Sequence, residues 1–179
     1  MLGSEGETSM KNNLKKIGLI MGSINDYEKV EPAVDLCKEM GVDCMAHVYS
    51  AHRTPEALQE FLAKEEDNLG VIIAAAGKAA HLAGVIASKT TLPVIGIPIK
   101  SSTLDGLDAL LSTVQMPKGI PVATVAIDGA YNAVMLALQI LALSDDELSD
   151  KLTKKRSDMK RDVLKANDEL QGLVGNNNG

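Results

Sequence analysis

The sequence predicts an α/β protein in which helices cover both faces of a parallel sheet, and two observations lead to this prediction. Five short apolar segments recur along the chain, and stretches with helix-capping and helix-ending residues separate them. Strands that alternate with helices form right-handed β-α-β units, which build parallel sheets between two helix layers. We therefore expect a three-layer α/β/α sandwich with a flavodoxin-like, five-stranded parallel sheet and an extra C-terminal helix.

The predicted strands are the segments 16–23, 44–51, 70–77, 92–99 and 120–127. Four of them are rich in Val and Ile and are apolar on both faces, as strands covered by helices on each side should be. The second segment, CMAHVYSA, is more mixed. Its composition favours a position nearer the edge of the sheet.

The first two predicted helices have recognisable ends. Asn25 or Asp26 can cap the first helix, and Gly41 is expected to end it. Thr54 is expected to cap the second helix, with Pro55 at its first position.

The last two predicted helices need a covering surface. The segment 132–143 is apolar nearly all round, so more than the sheet must cover it. The charged C-terminal helix carries an apolar stripe of Leu148, Leu152, Met159, Val163 and Leu170. This stripe can dock on the chain's own body or on a neighbouring subunit. We expect the second arrangement, a homo-oligomer.

The length of 179 residues fits a single domain with a sizeable core. We assign residues 14–170 to this domain, including the C-terminal helix. Residues 1–13 are expected to form a disordered leader, and residues 171–179 a disordered tail.

Composition and charge exclude several classes of partner. A net charge of -6 argues against nucleic acid, because phosphate backbones require a basic face. No segment reaches the ~18 uninterrupted apolar residues of a membrane helix. Cys37 and Cys44 have neither redox nor zinc-site spacing, so we expect reduced thiols in a cytoplasmic protein.

The turn after the first predicted strand, MGSIND, is a candidate anion site. Gly22 permits a tight turn, and Ser23 offers a hydroxyl and backbone N–H groups at a helix start. Asp26 can accept hydrogen bonds from the hydroxyls of a sugar. Alternatively, Asn25 or Asp26 only caps the helix.

The turn after the second predicted strand, SAHRTP, combines a fixed cation with a titratable ring. The guanidinium of Arg53 suits a phosphate. The neighbouring cation and helix end bias His52 toward its neutral form, able to accept and return a proton at neutral pH. Alternatively, the two residues are an exposed pair on a solvated loop. His47 lies within the strand and is interpreted as packing, and the histidine spacing indicates no metal site.

The segment after the third predicted strand, 74–85, is rich in small residues. They allow the backbone to approach a ligand closely, so that main-chain groups can bind a flat heterocycle. The alternative is a small-residue helix packed tightly on the sheet. His81 lies in this helix, where a nearby backbone group can satisfy it or where it can take part in catalysis.

Together, GSIND, SAHRTP, AAHLAG and VQMPKGIPVAT resemble the PurE family, N5-carboxyaminoimidazole ribonucleotide mutases of bacterial purine biosynthesis. The resemblance covers roughly residues 16–165. The HRTP and VQMP motifs are similar to the mutase branch and not to the animal-type carboxylase branch, which uses free carbon dioxide. The resemblance implies conversion of a carbamate on nitrogen into a carboxylate on a ring carbon, with no cofactor and no metal.

The resemblance also implies roles for individual residues. His52 would transfer the proton, while Ser23 and Arg53 would bind the phosphoribose end of the ribonucleotide substrate. Asp26 would bind the ribose hydroxyls. Ser50, Gly77 and His81 would line the substrate pocket, and residues 115–117 would help to wall it. Family members are octamers with sites between subunits.

The chain departs from the family pattern at several positions. Five residues differ from those usual in the family: Asn25 in place of Ser, Tyr27 of Trp, Ala75 of Gly, Lys78 of Gly and Ala83 of Pro. The segment after Ile127 is also shorter than usual. Lys78 matters most, because a long cation there can block the ring, point to solvent or hold the migrating carboxylate. Two alternatives therefore stay open: a divergent relative that acts on another ribonucleotide, and a non-catalytic binder of phosphoribosyl ligands.

Overall fold

A computed structural model describes residues 15–101 and 104–175, and its centre is one parallel sheet. The strands are β1 (Lys16–Met21), β2 (Cys44–Val48), β3 (Leu69–Gly77), β4 (Val94–Ile99) and β5 (Ala123–Thr124). The helices are α1 (Tyr27–Met40), α2 (Pro55–Glu65), α3 (Leu82–Ala87), α4 (Leu107–Val114), α5 (Ala130–Leu141) and α6 (Asp146–Gly175). The strand order is β2-β1-β3-β4-β5, and every neighbouring pair is parallel. The predicted three-layer sandwich is confirmed.

Two apolar clusters lie on opposite faces of the sheet. Successive side chains of β1 point to opposite faces of the sheet. Ile17 and Leu19 therefore belong to one cluster, and Ile20 belongs to the other. The first cluster contains buried residues of α1, α5 and the start of α6, and the second contains buried residues of α2 and α3. Helices therefore cover both faces of the central strands.

The two edge strands differ from the three central ones. β2 lies at one edge, as its mixed composition predicts. The predicted fifth strand, 120–127, is wrong in length, because only Ala123 and Thr124 pair with β4 as a strand. Ala123 is exposed, and the chain then follows β4 through isolated bonds, such as the one from Val125 N–H to the Gly96 carbonyl at 3.1 Å.

The helix starts are capped differently from the prediction. The Ser23 hydroxyl accepts a bond from Asn25 N–H at 3.2 Å, and neither Asn25 nor Asp26 makes a side-chain cap of α1. Thr54 makes no cap bond to α2, because its hydroxyl is bonded within the preceding turn. Pro55 does begin α2, and Gly41 ends α1 with φ 74, so both of these predictions are confirmed.

The C-terminal helix docks on the body of the chain only at its start. Leu148 and Leu152 are buried in the first apolar cluster together with α5. Met159, Val163 and Leu170 are 50%, 70% and 54% exposed, so the rest of the predicted stripe has no cover within the described chain. None of the described helices has the length and apolar character that a membrane span needs.

The C-terminal boundary differs from the prediction. α6 extends to Gly175, which places the first part of the predicted tail, 171–175, in the helix. The charged and polar segment that precedes residue 171 in α6 contains neither a proline nor a glycine that would end the helix. The predicted leader 1–13 and the residues 176–179 lie outside the described residues.

Candidate active site

A cavity of about 720 Å³ lies at the carboxyl edge of the sheet, where β1, β2, β3 and β4 end. All seven residues predicted for the site line it: Ser23, Asp26, Ser50, His52, Arg53, Gly77 and His81. Because parallel strands end at the same edge, loops distant in sequence meet there. The structure thus brings the predicted residues together, while their individual roles remain predictions.

The Arg53 guanidinium is held across the ends of two strands. Its terminal nitrogen donates to the Gly22 carbonyl at 3.1 Å, and its Nε donates to the Ser50 hydroxyl at 3.3 Å. The Ser50 hydroxyl also accepts from the backbone N–H of Arg53 at 3.2 Å. Ser50 therefore orients the cation, and the other guanidinium N–H groups are left to bind an anion.

The turn that carries His52 is closed by Thr54. The Thr54 hydroxyl accepts from Ser50 N–H at 2.9 Å and donates to the Ser50 carbonyl at 3.3 Å. The backbone N–H of Thr54 donates to the same carbonyl at 2.9 Å. These bonds fix the turn, and with it the direction in which His52 and Arg53 leave the backbone.

His52 pairs with His81 across the cavity. His52 Nε2 and His81 Nδ1 are 2.9 Å apart, and the two rings meet edge to face at 81°. This bond joins the loop after β2 to the loop after β3. His81 is thus bonded to a side chain and not to the backbone group that the sequence suggested.

His47 has a different role from the other two histidines. Its ring stacks on Tyr49, with centroids 5.5 Å apart, and packs on Phe61 at 4.6 Å. The interpretation of His47 as a packing residue is confirmed. Among the described residues, no group of three His, Cys, Asp or Glu side chains could hold a metal ion.

Asp26 places a carboxyl in the cavity beside the Ser23 turn. Burial raises the pKa of this carboxyl above its ordinary value, a hydrogen bond with the Ser23 backbone opposes the rise, and the nearby charge of Asp128 adds to it. Asp26 makes no side-chain cap bond to α1, so beyond its bond with the Ser23 backbone the carboxyl can accept from hydroxyl groups.

Two further cations, Lys29 and Lys100, line the cavity and were not predicted from the sequence. Lys29 binds Asp128 at 3.0 Å, and Lys100 binds Asp105 at 2.9 Å. The sequence carries a signal for each of them. Lys100 directly follows a predicted strand, and Lys29 lies one helical turn after Asp26. Both charges are already neutralised by carboxylates.

Residues 115–117 are not among the residues that line this cavity within one copy of the chain, and their part in the site stays a prediction. They follow α4, which runs back from the carboxyl edge toward the amino edge of the sheet. Met116 lies against α3, with its sulfur 3.2 Å from the position that a Cβ on Gly84 would occupy.

Comparison with known proteins agrees with this architecture. A sequence profile described as AIR carboxylase matches residues 16–162. The chain belongs to the AIR carboxylase family. The resemblance seen in the site motifs is confirmed, and it extends through most of the described chain.

Two N5-carboxyaminoimidazole ribonucleotide mutases are similar to this chain over most of their length. The N5-carboxyaminoimidazole ribonucleotide mutase of Saccharolobus solfataricus is 56% identical and covers 84% of this chain and 96% of its own. The mutase of Bacillus subtilis is 49% identical, with coverages of 86% and 97%. A crystal structure of Treponema denticola PurE superimposes with a TM-score of 0.81 at 26% identity, over 88% of this chain and 99% of that chain.

Proposed function

We propose that this protein interconverts N5-carboxyaminoimidazole ribonucleotide and 4-carboxy-5-aminoimidazole ribonucleotide in the de novo synthesis of purines. The observation that carries the proposal is the placement of His52 in the same cavity as Arg53, within a chain whose relatives are N5-carboxyaminoimidazole ribonucleotide mutases. The protein would act as an isomerase that transfers a carboxyl group within one molecule and uses no cofactor.

The phosphoribose end of the substrate would bind at the ends of β1 and β2. Arg53 presents a guanidinium that is already fixed by Gly22 and Ser50, so little side-chain freedom is lost when it binds a phosphate. Ser23 lies on the adjacent turn and Asp26 follows it, so the ribose hydroxyls can donate to the Asp26 carboxylate.

The aminoimidazole ring would lie against the loop after β3. Gly77 ends this strand, and a Cβ there would be 3.1 Å from the Ile99 carbonyl oxygen, so the backbone path is tight. Gly77 and Ala79 line the cavity with little or no side chain, which leaves the main chain of this loop open to a flat ring.

His52 would move the proton in both halves of the reaction. First, the C–N bond of the carbamate breaks, carbon dioxide leaves, and the nitrogen takes a proton from His52. Next, C4 of the ring forms a bond to carbon dioxide, and His52 removes the C4 proton. Positioned acid-base catalysis of this kind typically contributes ~10²–10⁴-fold to a rate. Retention of carbon dioxide beside the ring would supply further acceleration.

The protein would work in the cytoplasm as a homo-octamer. Apolar side chains on α4 and α6 support assembly, because Leu107, Leu111, Val114, Met159 and Val163 are each between 46% and 70% exposed. Exposed apolar surface of this kind typically marks contacts between subunits. Native mass spectrometry should detect eight copies, and a monomer at micromolar concentration would contradict the assembly.

Turnover of the purified protein tests the activity. The protein is mixed with the carbamate substrate, and formation of the ring carboxylate is followed by absorbance. The expected result is conversion well above the spontaneous rate. Binding of the ribonucleotide without turnover would favour the non-catalytic binder, and turnover of a different ribonucleotide alone would favour the divergent relative.

A further inference from the structure

Lys78 is the first residue beyond the end of β3, and it lines the cavity. Its backbone has φ 57, in the left-handed region that residues with a Cβ rarely adopt. Its side chain is exposed at the cavity and is not packed into the core. The loop thus projects a long cation into the site from a backbone conformation that would suit glycine better.

The charge of Lys78 is uncompensated within the part of the chain that the structure describes. Lys29 and Lys100 each have a carboxylate partner, Asp128 and Asp105 respectively. Arg53 is fixed by a carbonyl and a hydroxyl, and Lys78 has no ion pair among residues 15–101 and 104–175. The cavity therefore presents two cationic groups without carboxylate partners, Arg53 and Lys78.

These two cations reach the cavity from loops that follow different strands, β2 for Arg53 and β3 for Lys78. The Arg53 guanidinium contacts the Gly22 carbonyl at the end of β1. Lys78 follows β3 and precedes His81, the partner of His52, by three residues of a turned loop. Three residues span at most ~11 Å even when extended, so the flexible side chain of Lys78 can reach the region of the histidine pair.

The proposed substrate also carries two anionic groups, a phosphate at one end and a carboxylate at the reacting end. Because Arg53 is placed for the phosphate, the second cation is available for the carboxylate. We propose that the Lys78 ammonium binds the migrating carboxylate and thereby makes the site prefer carboxylated over uncarboxylated aminoimidazole ribonucleotide. This inference rests on the proposed function and names a residue that determines its specificity.

Substitution of Lys78 by glycine removes the ammonium without imposing a new backbone conformation. Glycine adopts a positive φ at no steric cost, so the Lys78→Gly chain should fold. Lys78→Gln keeps most of the side-chain length without the charge, and Lys78→Arg keeps the charge. Together, the three variants separate the effect of the ammonium charge from the effects of side-chain length and of backbone conformation at position 78.

Two measurements on wild type and each variant test the inference. The first is kcat/KM for 4-carboxy-5-aminoimidazole ribonucleotide, and the second is the inhibition constant of aminoimidazole ribonucleotide, which lacks the carboxylate. Loss of a charge-assisted contact should lower kcat/KM about 10-fold in Lys78→Gly and Lys78→Gln. The inhibition constant should stay within about 2-fold of wild type, since that ligand makes no contact with the ammonium. Lys78→Arg should retain most of the wild-type kcat/KM.

The outcomes distinguish this inference from the proposed function. If wild type shows no turnover, the proposed function and the inference both fail. If wild type turns over and both quantities worsen equally in Lys78→Gly, the ammonium binds the phosphoribosyl part and the inference alone is overturned. If neither quantity changes, Lys78 points to solvent and the inference is again overturned.

Discussion

His81 is expected to hold the ring of His52 in its working orientation, and replacing His81 tests this directly. The hydrogen bond between His52 Nε2 and His81 Nδ1 is the contact that joins the two loops at this point. His81→Phe keeps a planar ring but has no nitrogen to form the bond. His81→Asn places an amide group near the position of Nδ1 and can form it.

The size of the effect follows from the single hydrogen bond that is lost. A hydrogen bond between side chains contributes about 0.5–1.5 kcal/mol net, which corresponds to a factor of about 2 to 13 in rate if it acts only in the transition state. His81→Phe should therefore lower kcat by about this factor, and His81→Asn should stay within about 2-fold of wild type.

Steady-state kinetics of both variants separate orientation from substrate binding. A fall in kcat at constant KM supports a positioning role, because the lost bond then matters only when the proton moves. A rise in KM with constant kcat would rule out the positioning role and would assign His81 a direct contact with the substrate. Equal losses in His81→Phe and His81→Asn would refute it as well.

Two further substitutions should change the stability of the folded chain. Because burial raises the pKa of Asp26, its ionised form costs stability above the ordinary carboxyl value of 3.8. Asp26→Asn should therefore raise the free energy of unfolding at pH 7, and this gain should disappear at the lowest pH. Urea titrations at both pH values measure the effect, and a variant less stable than wild type at pH 7 would contradict it. Gly96→Ala places a Cβ 2.3 Å from Thr113 Cγ2 and should cost about 1–3 kcal/mol. Thr113→Ser removes that methyl and should restore part of the loss; no restoration would contradict the steric explanation.

The central architecture could be predicted because β1, β3 and β4 are apolar on both faces and are separated by helices with recognisable ends. The fifth strand could not, because its length depends on backbone pairing at a sheet edge. The segment 120–127 is apolar, yet Ala123 is exposed and only two of its residues pair as a strand. Hydrophobic pattern reports burial and does not report how far an edge strand stays in register.

The location of the site could be predicted from topology, while its internal bonds could not. Ser23, His52 and Gly77 follow three different strands that end at one edge, so their convergence follows from a parallel sheet. The pairing of His52 with His81 depends on two side-chain rotamers on separate loops. No local sequence pattern specifies such a pairing.

The hydrogen-bond partners of hydroxyl groups near the helix starts could not be predicted from the sequence. Thr54 precedes a helix and was predicted to cap it, yet its hydroxyl bonds to Ser50 and closes the turn. Ser23 is predicted to bind a ligand, and its hydroxyl also accepts from Asn25 N–H. Such hydroxyls have several acceptors and donors within reach, and the tertiary path of the turn decides among them.

The role of His52 as the residue that transfers the proton is tested by His52→Asn, assayed for both turnover and ligand binding. We expect kcat to fall by ~10²–10⁴-fold, because asparagine cannot exchange the proton. The dissociation constant of aminoimidazole ribonucleotide, measured by calorimetry, should stay close to that of wild type, because Arg53 and its partners remain in place. Turnover of the His52→Asn chain at the wild-type rate would show that His52 does not transfer the proton.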